Sequence, residues 1–475
     1  MGLKKHTLLR IAILALAIAG AIVAWIWAPL NEYFLPPRIK HVALLNLPGN
    51  RLRFQVMVTC SKPCPLYLRY WKLNSRDTFY TTTSSPQVHD TLTITNTEAD
   101  TRYQFQVMMA PYPGQPGKVH NFNTGLIYHA TPYFDLEYVD TAFAPAIKDQ
   151  YFLTQILTEP GSLVILNSKG NIVWYEPFKK GVKVSHWTPQ HTILCITGSE
   201  NIPASGGDEI IETDLQGHVL RHLQTGHGDM DELVHHEVRT DTAQALYALT
   251  FTTQLRNLLS VGGAANDTIH GDAIVLFDRH DKKIWHWSSL DHLDPLHEKD
   301  ILKKKKDWGH ANALFRLPNG DFLISFRDFS QIWKVRYPDG KVLWKLGQGG
   351  DFALPDSAVF SGQHAIQVND AGQLTMLDNG MNRKQGRALS LALDTVQHTV
   401  RVLVNTPIPK QYFSATKGNM QVLDSQHLLF CLTDTRVFLI EDLQGQVHWK
   451  INLAGDPYRL EIASGFLTPK PVYHE

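Results

Sequence analysis

Read as hydrophobic and polar positions, the chain divides into three stretches. Residues 11–30 are uncharged and almost wholly apolar, and about 20 such residues suffice to cross a bilayer as a helix. From 36 to 125, short runs alternate with period two, as in Leu52-Arg53-Phe54-Gln55-Val56-Met57-Val58 and Leu66-Tyr67-Leu68-Arg69-Tyr70-Trp71. Such alternation predicts the half-buried strands of an antiparallel sandwich. From 126 to 467 one unit recurs: an apolar strand, a turn with Asp, Asn or Gly, then a short strand often carrying Trp. It reads LVILNSKGNIVW, IIETDLQGHVLR, IVLFDRHDKKIW, WKVRYPDGKVLW, LALDTVQHTVRV and FLIEDLQGQVHW. Aligned on the turns, Trp174, Arg221, Trp285, Trp344, Arg401 and Trp449 share one position, with steps from 47 (Trp174 to Arg221) to 64 residues (Arg221 to Trp285). Multi-strand units of that length predict propeller blades, and the shared Trp position reads as blade packing. The expected fold is all-β: a six-bladed β-propeller preceded by a small β-sandwich and an N-terminal transmembrane helix.

Charge and cysteines add to this. Lys and Arg number 45 against 45 Asp and Glu, so overall charge implies no nucleic-acid partner. Lys4, Lys5 and Arg10 precede the apolar stretch, which predicts residues 1–10 in the cytoplasm and the bulk of the chain exported. The expectation is a single-pass inner-membrane signal anchor with a periplasmic body, a cleaved signal peptide being the rival. Cys60 and Cys64 bracket Ser-Lys-Pro, which suggests a local disulfide in an oxidising compartment. Cys195 and Cys431 lie inside apolar runs and read as small buried hydrophobes. The segment TRYQFQV, after the TLTI strand and an acidic turn, resembles the fibronectin type III pattern. It is read as a spacer or dimerisation module, which leaves a homodimer open.

The candidate chemistry lies at the heads of the strands ahead of these hairpins. VHHEVRTDTAQALYAL, GHANALFRLPNGDFLIS and GQHAIQVNDAGQLTML place His236 (with His235 beside it), His310 and His364 at corresponding positions of three successive repeats. Equivalent positions of successive blades face one channel, so the period alone gathers the three imidazoles. Arg327 returns on the same hairpin as His310. The chain has 23 histidines, so a lone one carries little information; three in register carry more. Imidazoles alone could hold a transition metal, whereas a fixed guanidinium beside them suits an oxyanion such as sulfate or phosphate. A metal-dependent propeller oxygenase or lyase and a non-catalytic membrane-tethered binding propeller are the alternatives.

The HHE segment, the DWGHAN…SFRD segment preceded by Asp-His-Leu-Asp, the KVLWKLG strand and the QHA…LDNG segment occur in an order that resembles bacterial arylsulfate sulfotransferases. The resemblance implies transfer of a sulfuryl group from an aryl sulfate to a phenol through a sulfated histidine, with no nucleotide sulfate donor and no cofactor. It makes His364 the nucleophile, with His236, His310 and Arg327 binding the sulfuryl group and His235 and Asn312 contacting substrate. His236 is preferred to His235 on register, since His236 and His364 each lie ten residues before an aligned leucine, Leu246 and Leu374. Lys303 to Lys306, just before Asp307, read as a solvated loop that would attract an anionic donor if it overhung the channel mouth. The expected tether departs from the family members, which are exported without an obvious retained anchor.

Overall fold

Between Ile39 and Asn123 the period-two runs become two facing sheets. One holds Ile39–Asn46, Phe54–Cys64 and Gln87–Ile94; the other holds Thr78–Tyr80, Leu66–Lys72, Arg102–Met109 and Val119–Asn123. Alternate side chains, among them Val56, Val58, Leu66, Leu68, Ile94, Phe105 and Val107, fill the space between them. The structure, a computed structural model, describes residues 10, 12–23, 35–47, 49–127, 134–202 and 205–471. The anchor expected over 11–30 lies partly outside these residues. Residues 12–23 of it are helical, and among the described residues no helix is long and apolar enough to cross a membrane.

The disulfide expected in the sandwich is not formed: Cys60 and Cys64 are free thiols. The strand Phe54–Cys64 runs through both, with a register break between Thr59 and Cys64. Both sulfurs pack into the sandwich core. Burial raises both thiols, helped by Asp90 at Cys60 and by Cys60 at Cys64, which is pushed up to about 11. They therefore behave as small protonated hydrophobes.

Six antiparallel blades follow. Their inner strands are, in ring order, Leu460–Ile462, Gly181–Trp187, Val234–Thr240 (with the two-residue strand Gly206–Gly207 on its edge), Ala311–Arg316, His364–Val368 and Asn419–Val422. Blade 1 thus takes its inner strand from the C-terminal end of the chain, paired with Tyr151–Ile156. Blade 6 takes an extra outer strand, Phe134–Val139, from before blade 1, paired with Val447–Leu453. The ring is closed from both sides.

The position shared by the six repeats sits on the strand after the aligned turn of each blade, and in four of them it reaches the next blade. Trp174 Nε1 donates to Leu215 O at 2.9 Å, Trp285 Nε1 to Pro338 O at 2.8 Å, and Trp449 Nε1 to Ser168 O at 2.7 Å. Arg221 makes the same step as an ion pair, 2.7 Å from Asp281. Each of these indoles thus satisfies its N–H while latching two blades.

Two departures from a plain repeat shape one end of the channel. The hairpin Leu246–Arg256 with Asp267–Phe277 is the longest in the ring. Short helical turns pack on it through Leu258, Ile269, Leu290, Ile301 and Trp308. The inner strands also bulge at their heads, with register breaks at Val182/Val184, His235/Val238, Ala311/Ala313 and His364/Gln367. There His236, His310 and Ala365 have φ of 55°, 51° and 52°. Non-glycine residues in this region are uncommon and persist where the surroundings hold them.

Candidate active site

His364 is 3% exposed and held from both ring nitrogens. Its Nδ1 lies 2.8 Å from Asn379 Oδ1 and 3.0 Å from Gly362 O. Asn379 cannot present its nitrogen there, because its Nδ2 donates to Ser414 O at 3.0 Å and to Lys417 O at 3.1 Å. Two acceptors at Nδ1 place the proton on Nδ1 and the lone pair on Nε2. Nε2 accepts the Lys417 N–H, at 3.2 Å, and no other among the described residues. Burial lowers the His364 pKa to about 3, Asn379 opposing and Arg327 and His310 assisting. At neutral pH it is an uncharged imidazole with its lone pair aimed away from Asn379.

His310 is the opposite case. Burial disfavours its charge, but the hydrogen bond from Nδ1 to Asp307 Oδ2, at 2.6 Å, and the charges of Asp307 and Asp328 together outweigh burial, and its pKa is raised. The Arg327 N–H donates to His310 O at 3.1 Å, which fixes the two ends of the hairpin side by side. The Arg327 guanidinium holds Asp328 at 2.7 Å and approaches Met381 Sδ at 3.8 Å. The His236 ring stands edge-on to His310, centroids 4.9 Å apart, and is held well below the usual histidine range by burial and by His310.

Behind His236 lies a second, wholly buried group. His235 Nδ1 is 2.9 Å from His236 Nδ1, and its ring stacks on Phe251 at 4.2 Å. Its other nitrogen is 3.5 Å from Asp272, which burial pushes up to about 7. Asn312 donates through Nδ2 to Gln363 O at 2.7 Å, tying blade 4 to blade 5, while its Oδ1 has no partner among the described residues.

A charged cluster crosses the channel beneath these residues. Arg459, entering blade 1, grips Glu237 of blade 3 through both nitrogens, at 2.8 and 2.9 Å. It also donates to the backbone oxygens of His236 at 3.2 Å and Asn312 at 3.3 Å. His186 lies between Glu237 at 2.5 Å and Glu461 at 2.6 Å. Below this floor a cavity of about 1090 Å³ opens at the far end, lined by Trp187, Arg239, Tyr247, Arg316 and Trp344; none of His236, His310, Arg327 and His364 borders it.

The ring of three histidines, with an arginine beside them, coincides with a family match. The profile of the Arylsulfotransferase (ASST) family matches residues 198–454, more than half of the chain. The chain belongs to the arylsulfotransferase family. The matched span contains the three histidines, Arg327 and Asn379 of the arylsulfotransferase, but not Arg459 or the floor residues His186 and Glu461. No curated protein matches the chain. Among solved structures it is similar to a protein of unknown function from Bacteroides caccae (10% identity, 66% of this chain and 97% of that one, TM-score 0.42). It is also similar to virginiamycin B lyase from Staphylococcus aureus (10% identity, 68% and 97%, TM-score 0.36). Likeness this distant says nothing about activity.

Of the residues expected from sequence, His236, His310, Arg327 and His364 lie at one end of the arylsulfotransferase channel, with His235 and Asn312 buried just behind them. The lysine run does not form a free positive collar. Lys303, Lys304 and Lys305 lie 3.5 Å from Asp300, 2.7 Å from Glu298 and 2.5 Å from Asp267, so local carboxylates neutralise most of it. Asp307, Asp272, Asn379 and Arg459 are additions that the sequence pattern does not single out. Asp307 and Asn379 do stand inside the family-like segments, three residues before His310 and two after Leu377. Asn379 is a positioning residue: Asn379→Leu is expected to lower kcat about 100-fold by releasing the Nδ1 tautomer. KM for an aryl sulfate should change little, and a KM effect without a kcat effect would count against this role.

Proposed function

We propose that this arylsulfotransferase moves a sulfuryl group from an aryl sulfate to a phenol through a sulfohistidine at His364. The fixed tautomer of His364 carries the reading. A neutral imidazole with Nδ1–H held by Asn379 and Gly362 offers Nε2 as nucleophile. In the first step the Nε2 lone pair bonds to sulfur and the bond from sulfur to the aryl oxygen breaks. The departing oxygen keeps that electron pair and takes a proton from His310, whose Asp307 partner favours the charged form. Arg327, His310 and His236 face the sulfuryl oxygens and offset their charge, and the positive sulfo-imidazole is supported at Nδ1 by Asn379. In the second step the phenol returns its proton to His310, its oxygen bonds to sulfur, and the S–N bond breaks. The metal-ring alternative finds less support: among the described residues no three His, Cys, Asp or Glu side chains group as metal ligands.

The test is release of nitrophenolate from p-nitrophenyl sulfate by the purified full chain, with and without an added phenol. Stimulation by the phenol, with sulfated phenol as the product, supports transfer; equal release into water argues for a hydrolase. The pH dependence follows from the two histidines. His364 is neutral above about 3, so the acid limb lies well below the ordinary histidine value of ~6.5. His310 has a raised pKa, so kcat/KM holds through pH ~5–6 and falls as pH climbs through that raised value. A rate that instead rises between pH ~6 and ~8 would contradict the assignment of His310 as the acid.

A further inference from the structure

We propose that Lys183 recognises a second anionic group on the aryl substrate, so that the site favours aryl sulfates carrying a carboxylate or another sulfo group. The inference rests on the sulfuryl-transfer reading and adds the substrate class. Lys183 is the third residue of the inner strand Gly181–Trp187, as His236 is the third of Val234–Thr240 in the next blade. Both strands break register there, at Val182/Val184 and at His235/Val238. The two residues therefore occupy equivalent places at the same end of the channel. A Cβ at Gly181 would stand 3.2 Å from Lys183 Nζ, so the ammonium folds back over the head of its strand, toward the end that holds the histidines. In a ring of six, blade 2 faces blade 5, which carries His364. An aromatic ring whose sulfuryl group meets His364 would extend toward Lys183.

Its surroundings mark it as a cation awaiting a partner. Lys183 is 7% exposed as a residue, so its stem is enclosed and its ammonium is partly stripped of water, a cost that a paired anion would offset. Among the described residues no carboxylate lies within ion-pair distance of it and no hydrogen bond holds its Nζ. The carboxylates that act on it, Glu159 and Glu200, are exposed on loops after neighbouring strands, and burial lowers its pKa against their pull. Arg239 and Arg459, by contrast, meet carboxylates in the floor. Lys183 also lies outside the matched span 198–454, so nothing in the family match assigns it.

The experiment compares 4-carboxyphenyl sulfate with 4-methylphenyl sulfate. The ratio of their kcat/KM values is expected to favour the carboxylated donor in the wild-type chain and to fall on the order of tenfold to a hundredfold in Lys183→Met. Lys183→Arg should restore much of the preference. The same comparison is made without turnover by calorimetric binding of both compounds to His364→Ala, with and without Lys183→Met. Turnover of neither compound by the wild type would sink the transfer reading, and the binding ratio would still decide on Lys183. A ratio that Lys183→Met leaves unmoved, in turnover or in binding, overturns the proposal.

Discussion

His364→Ala is expected to lose phenol-dependent release of nitrophenolate by about 10⁴-fold or more. The loss should lie in kcat, because the proposed mechanism leaves Arg327, His310 and His236 to bind the sulfuryl group. A finer readout is the protein itself. Mixed with aryl sulfate and no phenol, the wild-type chain should gain the mass of one sulfuryl group, labile to acid, and His364→Ala should gain none. His310→Ala keeps the nucleophile and loses the acid, so it should acquire the label slowly. Slow labelling is what separates removal of the acid from removal of the nucleophile. Turnover of His364→Ala at the wild-type rate would move the nucleophile elsewhere in the ring.

Arg459→Met carries the largest expected cost in stability, about 3–5 kcal/mol, because it leaves Glu237 charged and wholly buried with fewer partners. Burial acts to raise the Glu237 pKa, yet Arg239, Arg459 and His186 overcome it and hold that carboxyl far below its usual range. A depressed carboxyl stabilises the fold above its unfolded value of ~4.3. That stability is lost as pH falls through the depressed value, and part of it goes with Arg459, while Arg239 and His186 remain beside the carboxyl. The measurement is the urea midpoint of the propeller transition at neutral pH. Arg459→Met paired with Glu237→Leu should recover more than half of the shift, since removing both charges spares the unpaired one. An unchanged midpoint in Arg459→Met would mean that the cluster fills the channel without holding it.

The ring of histidines is legible in the sequence because its signal is periodic. His236, His310 and His364 head strands that repeat, and six-fold repetition converts sequence register into shared position. Arg327 is legible through the Pro318-Asn319-Gly320 turn, which returns the strand to where it started. Asn379 is not, although it sits within a family-like segment. Its role depends on which way its amide faces, and that is decided by Ser414 and Lys417, 35 and 38 residues away. Asp272 acts from the extended hairpin of blade 3, whose length is a departure from the repeat. Arg459 has no periodic signal at all, because the strand it precedes completes a blade begun some three hundred residues earlier. The free thiols have a similar cause: Ser-Lys-Pro between Cys60 and Cys64 resembles a turn, but it lies within the strand Phe54–Cys64 as a bulge in the pairing with Gln87–Ile94.

That closing strand has a consequence for how the protein is made. A ribosome releases the chain in order, and blades 2 to 6, with every histidine of the site, emerge before Arg459 and Leu460–Ile462. Until those residues arrive, blade 1 lacks its inner strand and Glu237 lacks its arginine. The nascent ring can stack blade on blade through the tryptophan latches, but the floor under the histidines closes last. The histidine ring thus waits on a strand made after it, and a message cut short before Arg459 yields a stack of blades with an open seam and no floor beneath the histidines.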